Sequence, residues 1–91
     1  MWTLDSIIDA MDARQLRATY GAVAGVLGVI AKGVMGDRDN CHRNSWIVAT
    51  DNGLPTGYLE DEMHPNLTRL PIVLATPKRL QRFLDGQGPP R

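Results

Sequence analysis

The chain has 91 residues, 43% of them hydrophobic, and its ten basic side chains balance ten acidic ones. That length suits a single small domain, and without a basic surplus any surface for nucleic acid must be local. A single cysteine excludes an intramolecular disulfide and favours a reducing, cytoplasmic setting, while the longest apolar run, residues 22–31, is shorter than the roughly 20 residues of a membrane span.

The first third of the chain predicts two helices. Apolar residues at helical spacing favour a first helix over residues 3–13, with Thr3 as its N-cap and three aspartates on the opposite side. Thr19 is the expected N-cap of a second helix, whose buried stripe begins at Tyr20 and which Gly28 ends. Because acidic side chains usually form solvated faces, we expect the acidic clusters of the chain to lie away from any partner surface.

The middle of the chain predicts a short helix followed by a hairpin. Residues 30 to about 37 form the expected third helix, although this segment contains two glycines. Residues 46–50 are rich in β-branched and aromatic side chains, as strands are, and the Asn-Gly dipeptide that follows is a strong hairpin signal. The return over residues 54–58 is expected to pair only briefly, because Pro55 has no N–H to donate.

A last helix is expected from Pro77 to Gly86, with Thr76 as its N-cap. In this order, the elements predict a mainly α fold with a small β-hairpin, which is a winged helix-turn-helix-like single domain over residues 1–85. The remaining residues, 86–91, are expected to form a flexible tail.

Sequence blocks in the middle of the chain resemble a known family. The blocks are Thr-Tyr-Gly-Ala-Val-Ala at residues 19–24, a less similar block around Lys32, and Gly-Leu-Pro-Thr-Gly-Tyr at residues 53–58. Together they resemble the DNA-binding domain of the alkylguanine-DNA alkyltransferases and their non-catalytic relatives, the alkyltransferase-like proteins. The resemblance covers roughly residues 17–58 and implies binding to double-stranded DNA, with sensing of modified or damaged bases.

The glycine turn sets the register of this resemblance. The enzymes carry Pro-Cys-His-Arg-Val before the turn, and the relatives carry Pro-Trp-His-Arg-Val. Counting back from Gly53 without gaps places Ser45 at the position of the nucleophile and Trp46 at that of the histidine that helps activate it. Cys41-His42-Arg43 matches the Cys-His-Arg of the enzymes' active site, but Cys41 lies four residues upstream of the nucleophile position at Ser45. The resemblance therefore implies a relative that lacks the reaction.

Charge and the resemblance together indicate eight candidate DNA contacts: Thr19, Tyr20, Lys32, Arg38, Arg43, Ser45, Trp46 and Asn52. Tyr20 resembles the family tyrosine that contacts the DNA backbone, and it fits equally well at the start of a buried stripe. Lys32 stands where the family has an arginine that enters the duplex, and it equally suits an exposed helix. Trp46 is expected in the core of the hairpin or, alternatively, beside an extruded base. The arginines would contact phosphates.

We expect no catalytic residue, cofactor or metal. His42 and His64 lack the spacing of zinc ligands, and the chain has no phosphate-binding glycine loop. Two alternatives stay open. The first is a protein-interaction module that has lost DNA binding, which the neutral charge and the acidic residues 60–62 favour. The second is an alkyl acceptor that uses Cys41, whose thiolate would need an ordered, electropositive setting.

Overall fold

Three α-helices and three short β-strands form the part of the chain that the computed structural model describes, residues 2–36 and 38–86. Of the predicted tail, residues 87–91 lie outside the described residues. In chain order the elements are α1 (Leu4–Arg14), β1 (Arg17–Thr19), α2 (Tyr20–Leu27), β2 (Ile47–Val48), β3 (Val73–Leu74) and α3 (Pro77–Asp85). Single 3₁₀ turns occur at Ala31–Gly33, Arg43–Trp46 and Glu60–Glu62.

Each α-helix begins where the sequence predicts, at a threonine cap. Thr3, Thr19 and Thr76 accept hydrogen bonds from the backbone N–H three residues on, at 3.1, 3.1 and 3.2 Å. These bonds satisfy donors that the first helical turn would otherwise leave unpaired. After α1, Gln15 takes the left-handed conformation, and after α2 Gly28 does so with a φ of 72°. The predicted end of α2 at a glycine is therefore confirmed.

The three strands form a parallel sheet in the order β2-β1-β3. Ala18 in the central strand pairs with Ile47 on one side and Leu74 on the other. The predicted hairpin is therefore wrong, because the strand at residues 47–48 pairs with β1 and not with the chain that follows it. Residues 49–54 make a tight turn instead, in which the Ala49 N–H donates to the Leu54 carbonyl at 3.0 Å. The fold is a mixed arrangement of helices and sheet.

The predicted third helix is reduced to one 3₁₀ turn at Ala31–Gly33. Gly36 has a φ of 57°, a left-handed conformation that does not continue a right-handed helix. Residue 37, at the predicted end of this helix, lies outside the described residues. Residues 34–36 and 38–42, between this turn and the 3₁₀ turn that precedes β2, are therefore irregular, and part of this segment forms one wall of the groove described below.

Side chains from all three α-helices build the core. Ile7, Ile8 and Met11 of α1 and Leu80 and Leu84 of α3 are fully buried. Gly25 lets α3 approach α2 closely, because a Cβ at that position would collide with the ring of Pro77. None of the described helices has the length and apolar content that crossing a bilayer requires.

Arg17 of β1 connects the sheet to two distant loops. Its Nη1 donates to the Gly53 carbonyl at 2.9 Å, and its Nη2 donates to the Leu70 carbonyl at 3.0 Å. The residue is only 8% exposed, and its Nε has no hydrogen-bond partner within the described part of the chain. A buried guanidinium therefore holds the glycine turn in place through neutral carbonyl acceptors.

Candidate nucleic-acid interface

Tyr20 and Tyr58 line one surface groove with a volume of about 330 Å³. Tyr20 is the first residue of α2, and its hydroxyl accepts a hydrogen bond from the Thr56 N–H at 2.9 Å. The Tyr58 hydroxyl donates to the Asp39 carbonyl at 3.4 Å. The groove therefore lies between the start of α2, residues 31–36 and 38–40, and the end of the glycine turn.

The chemistry of this groove combines aromatic faces, an apolar floor and a cation. Val34 and Met35 contribute apolar surface beside the two tyrosines, and exposed Lys32 lies at the rim. Partial burial raises the pKa of the Tyr58 phenol, so its neutral, hydrogen-bonding form is favoured. Tyrosine rings offer a flat face for stacking and a polar tip for hydrogen bonding, which suits a planar heterocyclic ligand.

Arg38 also lines the groove, but an aspartate of α1 neutralises it. Its Nη1 and Nη2 donate to the two carboxylate oxygens of Asp5 at 2.9 and 3.3 Å. This two-point geometry is the strong form of an arginine–carboxylate pair, although both side chains are partly solvated. The predicted phosphate contact by Arg38 would require that pair to open.

Arg43 is engaged more extensively than Arg38. Its Nε and Nη2 donate to Asp9 Oδ1 at 2.9 and 2.7 Å, and its Nη2 also lies 3.5 Å from Asp5 Oδ1. Burial opposes the charged form, but the hydrogen bond and negative charge of Asp9, with the charge of Asp5, outweigh it and raise the pKa of Arg43. Two of the aspartates that were expected to form a solvated face therefore lie beside basic residues that were predicted to contact DNA.

Ser45 and Trp46 are both fully buried, so neither is positioned to contact DNA. The Ser45 hydroxyl donates to the His42 carbonyl at 2.7 Å and accepts from the His64 N–H at 3.0 Å. The indole N–H of Trp46 donates to Asp12 at 2.8 Å, and its ring lies 4.8 Å from that of His64. The predicted location of Trp46 in the core is confirmed. The alternative, that Trp46 lies beside an extruded base, is wrong, because α1 and His64 cover its ring.

The other two candidates have local structural roles. Thr19 is 1% exposed and caps α2, while its hydroxyl also donates to the Ala75 carbonyl at 3.4 Å. Asn52 is exposed, and its side-chain oxygen accepts from the Leu54 N–H at 3.0 Å, which shapes the turn. Of the eight predicted contacts, the groove brings together three: Tyr20, Lys32 and Arg38.

Cys41 is half-buried. The thiol is not part of the groove lining. His42 is directed elsewhere, since its Nε2 lies 3.0 Å from the Asp61 carbonyl and its ring meets that of His64 at 5.7 Å. Across residues 2–36 and 38–86, no cluster of three or more His, Cys, Asp or Glu side chains could hold a metal ion.

Tyr58 is the aromatic residue of the groove that was not among the eight predicted contacts. The sequence signal for it was present, because the Gly-Tyr ending of the glycine turn sets the register of the family resemblance. No protein-family model, curated protein or solved structure matches the chain significantly. The resemblance to the alkyltransferase-like proteins therefore stays a prediction that rests on its motifs.

Proposed function

We propose that this protein is a non-catalytic DNA-binding protein that accommodates a modified or extruded base in the groove between Tyr20 and Tyr58. The fold would serve as a winged helix-turn-helix-like domain of the alkyltransferase-like type. One observation carries the proposal: the tyrosines of two separate sequence blocks, Thr-Tyr-Gly and Gly-Tyr, line the same groove. A volume of about 330 Å³ is at the small end of ligand pockets, which suits a base and not a larger cofactor.

The charges around the groove support a modest electrostatic contribution to binding. Lys32 makes no ion pair within the described part of the chain, whereas Arg38 is paired with Asp5. Since phosphate affinity depends on cations that are able to displace counterions, we expect the groove itself to give weak binding to undamaged duplex. Stacking on the tyrosine rings would then add preference for a base that has left the helix.

An NMR titration tests this proposal. At low salt, a short duplex that contains O6-methylguanine should shift the backbone amides of Tyr20, Lys32 and Tyr58 more than a plain duplex of the same sequence does. Tyr58→Ala should weaken binding to the modified duplex by about 1–3 kcal/mol, because one stacking face is lost. Tyr58→Phe is the matched control, since it keeps the ring. Equal affinities of the Ala and Phe variants would contradict a stacking role.

The proposal excludes transfer of an alkyl group to Cys41. The intact mass of the protein should stay constant during incubation with the methylated duplex. A mass increase of one methyl group that disappears in Cys41→Ser would instead identify an alkyl acceptor. Methyl transfer requires a thiolate as nucleophile, so Cys41→Ser distinguishes an alkyl acceptor from a protein that only binds DNA.

A protein-interaction module is the second candidate, and the surface apolar residues favour it. Ile30 is 80% exposed and Leu59 is 67% exposed. Neutralisation of Arg38 and Arg43 by the aspartates of α1 also removes two cations from any phosphate-binding surface. A complex with another protein whose affinity does not change with salt, together with absent duplex binding, would favour this candidate over the first.

A further inference from the structure

The solvent-facing side of α3 carries three basic residues. Lys78, Arg79 and Arg82 are all exposed, and their spacing of three and four residues places them on one face of the helix. The opposite face is apolar, with Leu80 and Leu84 fully buried. The helix is therefore fixed to the core on one side and presents a row of cations on the other.

These three cations are not neutralised within the described part of the chain. No carboxylate forms an ion pair with them there, whereas Arg38 and Arg43 are paired with aspartates of α1. The acid within α3, Asp85, accepts a hydrogen bond from Gln81 at 2.8 Å. A protein with no net charge thus presents a local basic face on α3.

This basic face is separate from the groove. α3 packs against α2 at Gly25, where the ring of Pro77 occupies the space of a Cβ. Gly25 and Tyr20 lie roughly 140° apart around α2, at about 100° per residue. Cations on the outer side of α3 therefore cannot contact the same atoms of a ligand that Tyr20 contacts.

We infer that the outer face of α3 binds the phosphate backbone of nucleic acid, a contact that adds to the groove and rests on the proposed function. A row of lysine and arginine side chains without ion pairs matches the regularly spaced phosphates of a nucleic-acid strand. Such contacts depend on the charge of the phosphates and not on the base sequence. An anionic membrane is the less suitable partner, because a helix that lies in a bilayer surface inserts its apolar face, and here that face is buried in the core.

Duplex binding measured by fluorescence anisotropy over a range of salt concentrations tests the inference. The combined variant Lys78→Gln, Arg79→Gln and Arg82→Gln should reduce the slope of log affinity against log salt by about 2 to 3, since each phosphate contact contributes about 0.9. Glutamine forms helix well, so the variant should keep its circular dichroism spectrum. The charge-preserving swaps Lys78→Arg, Arg79→Lys and Arg82→Lys are the matched control and should keep the slope.

An unchanged slope in the glutamine variant would overturn the inference while leaving the groove untouched. If Tyr58→Phe and Tyr58→Ala weaken duplex binding equally, the stacking role of the groove is contradicted. If the glutamine changes in α3 still reduce the salt slope of the protein that keeps Tyr58, the inference about α3 is supported. Absence of any duplex binding by the natural chain would overturn both. Tight, α3-dependent binding to phosphatidylserine vesicles with no duplex binding would assign the face to a membrane and overturn it as well.

Discussion

Replacing Gly25 by alanine tests the packing of α3 on α2. In a helix interior, alanine is normally more stable than glycine by about 1 kcal/mol. Here the new Cβ would lie 2.7 Å from the Cβ of Pro77 and closer still to its Cγ, and a proline ring cannot rotate away. Overpacking of this kind costs about 1–3 kcal/mol, so the sign of the usual effect should reverse.

Gly21 is the matched control in the same helix, because nothing lies within 4 Å of a Cβ built there. Gly21→Ala should therefore stabilise the fold, while Gly25→Ala destabilises it; because both variants gain the same helix propensity, they should differ by the overpacking cost of about 1–3 kcal/mol. For a chain of this size, each 1 kcal/mol shifts the melting temperature by about 4–8 °C, which calorimetry resolves easily. Equal stabilisation by both alanines would refute the close contact with Pro77, and rescue of Gly25→Ala by Pro77→Ala would support it.

Three further outcomes follow from the contacts of the site. Asp5→Asn with Asp9→Asn should free the two paired arginines and steepen the salt dependence of duplex binding by about 2, and an unchanged slope would mean that neither arginine reaches phosphate. Trp46→Phe should cost about 1–3 kcal/mol in chemical denaturation through the lost hydrogen bond and volume, whereas half-buried Trp2→Phe should cost less. Burial raises the pKa of Tyr58, so its contribution to stability should be present below about pH 10 and decrease as the pH rises further; Tyr58→Phe should flatten that decrease.

The helices could be predicted because their signals are local. A threonine cap acts three residues away, and the glycine that ends α2 acts through its own φ angle. These features need no information from the rest of the chain, so apolar spacing and cap residues were enough to place α1, α2 and α3. The same reasoning overestimated the segment after residue 30, where left-handed Gly36 prevented a longer helix.

The sheet could not be predicted, because its signal is not local. Each strand contributes two or three residues, and Ala18 finds its partners at Ile47 and Leu74, far along the chain in both cases. A run that short has no measurable periodicity of its own. The Asn-Gly turn was a genuine turn, but parallel pairing with β1 determined which edge of β2 was used.

Part of the candidate site could not be predicted from the sequence for a related reason. The same reason explains how a chain with no net charge can still have a charged surface. Composition gives the number of charged residues but does not show which of them form ion pairs in the folded protein. Arg38 and Arg43 were placed on a binding surface by their proximity in sequence, yet folding brings α1 beside them and neutralises both. The cations of α3 lie outside the region of resemblance, so the family motifs do not indicate them, and they make no ion pair with any described residue. If the protein binds phosphate, the salt slope should therefore depend on α3 more than on the loop where the family resemblance first placed it.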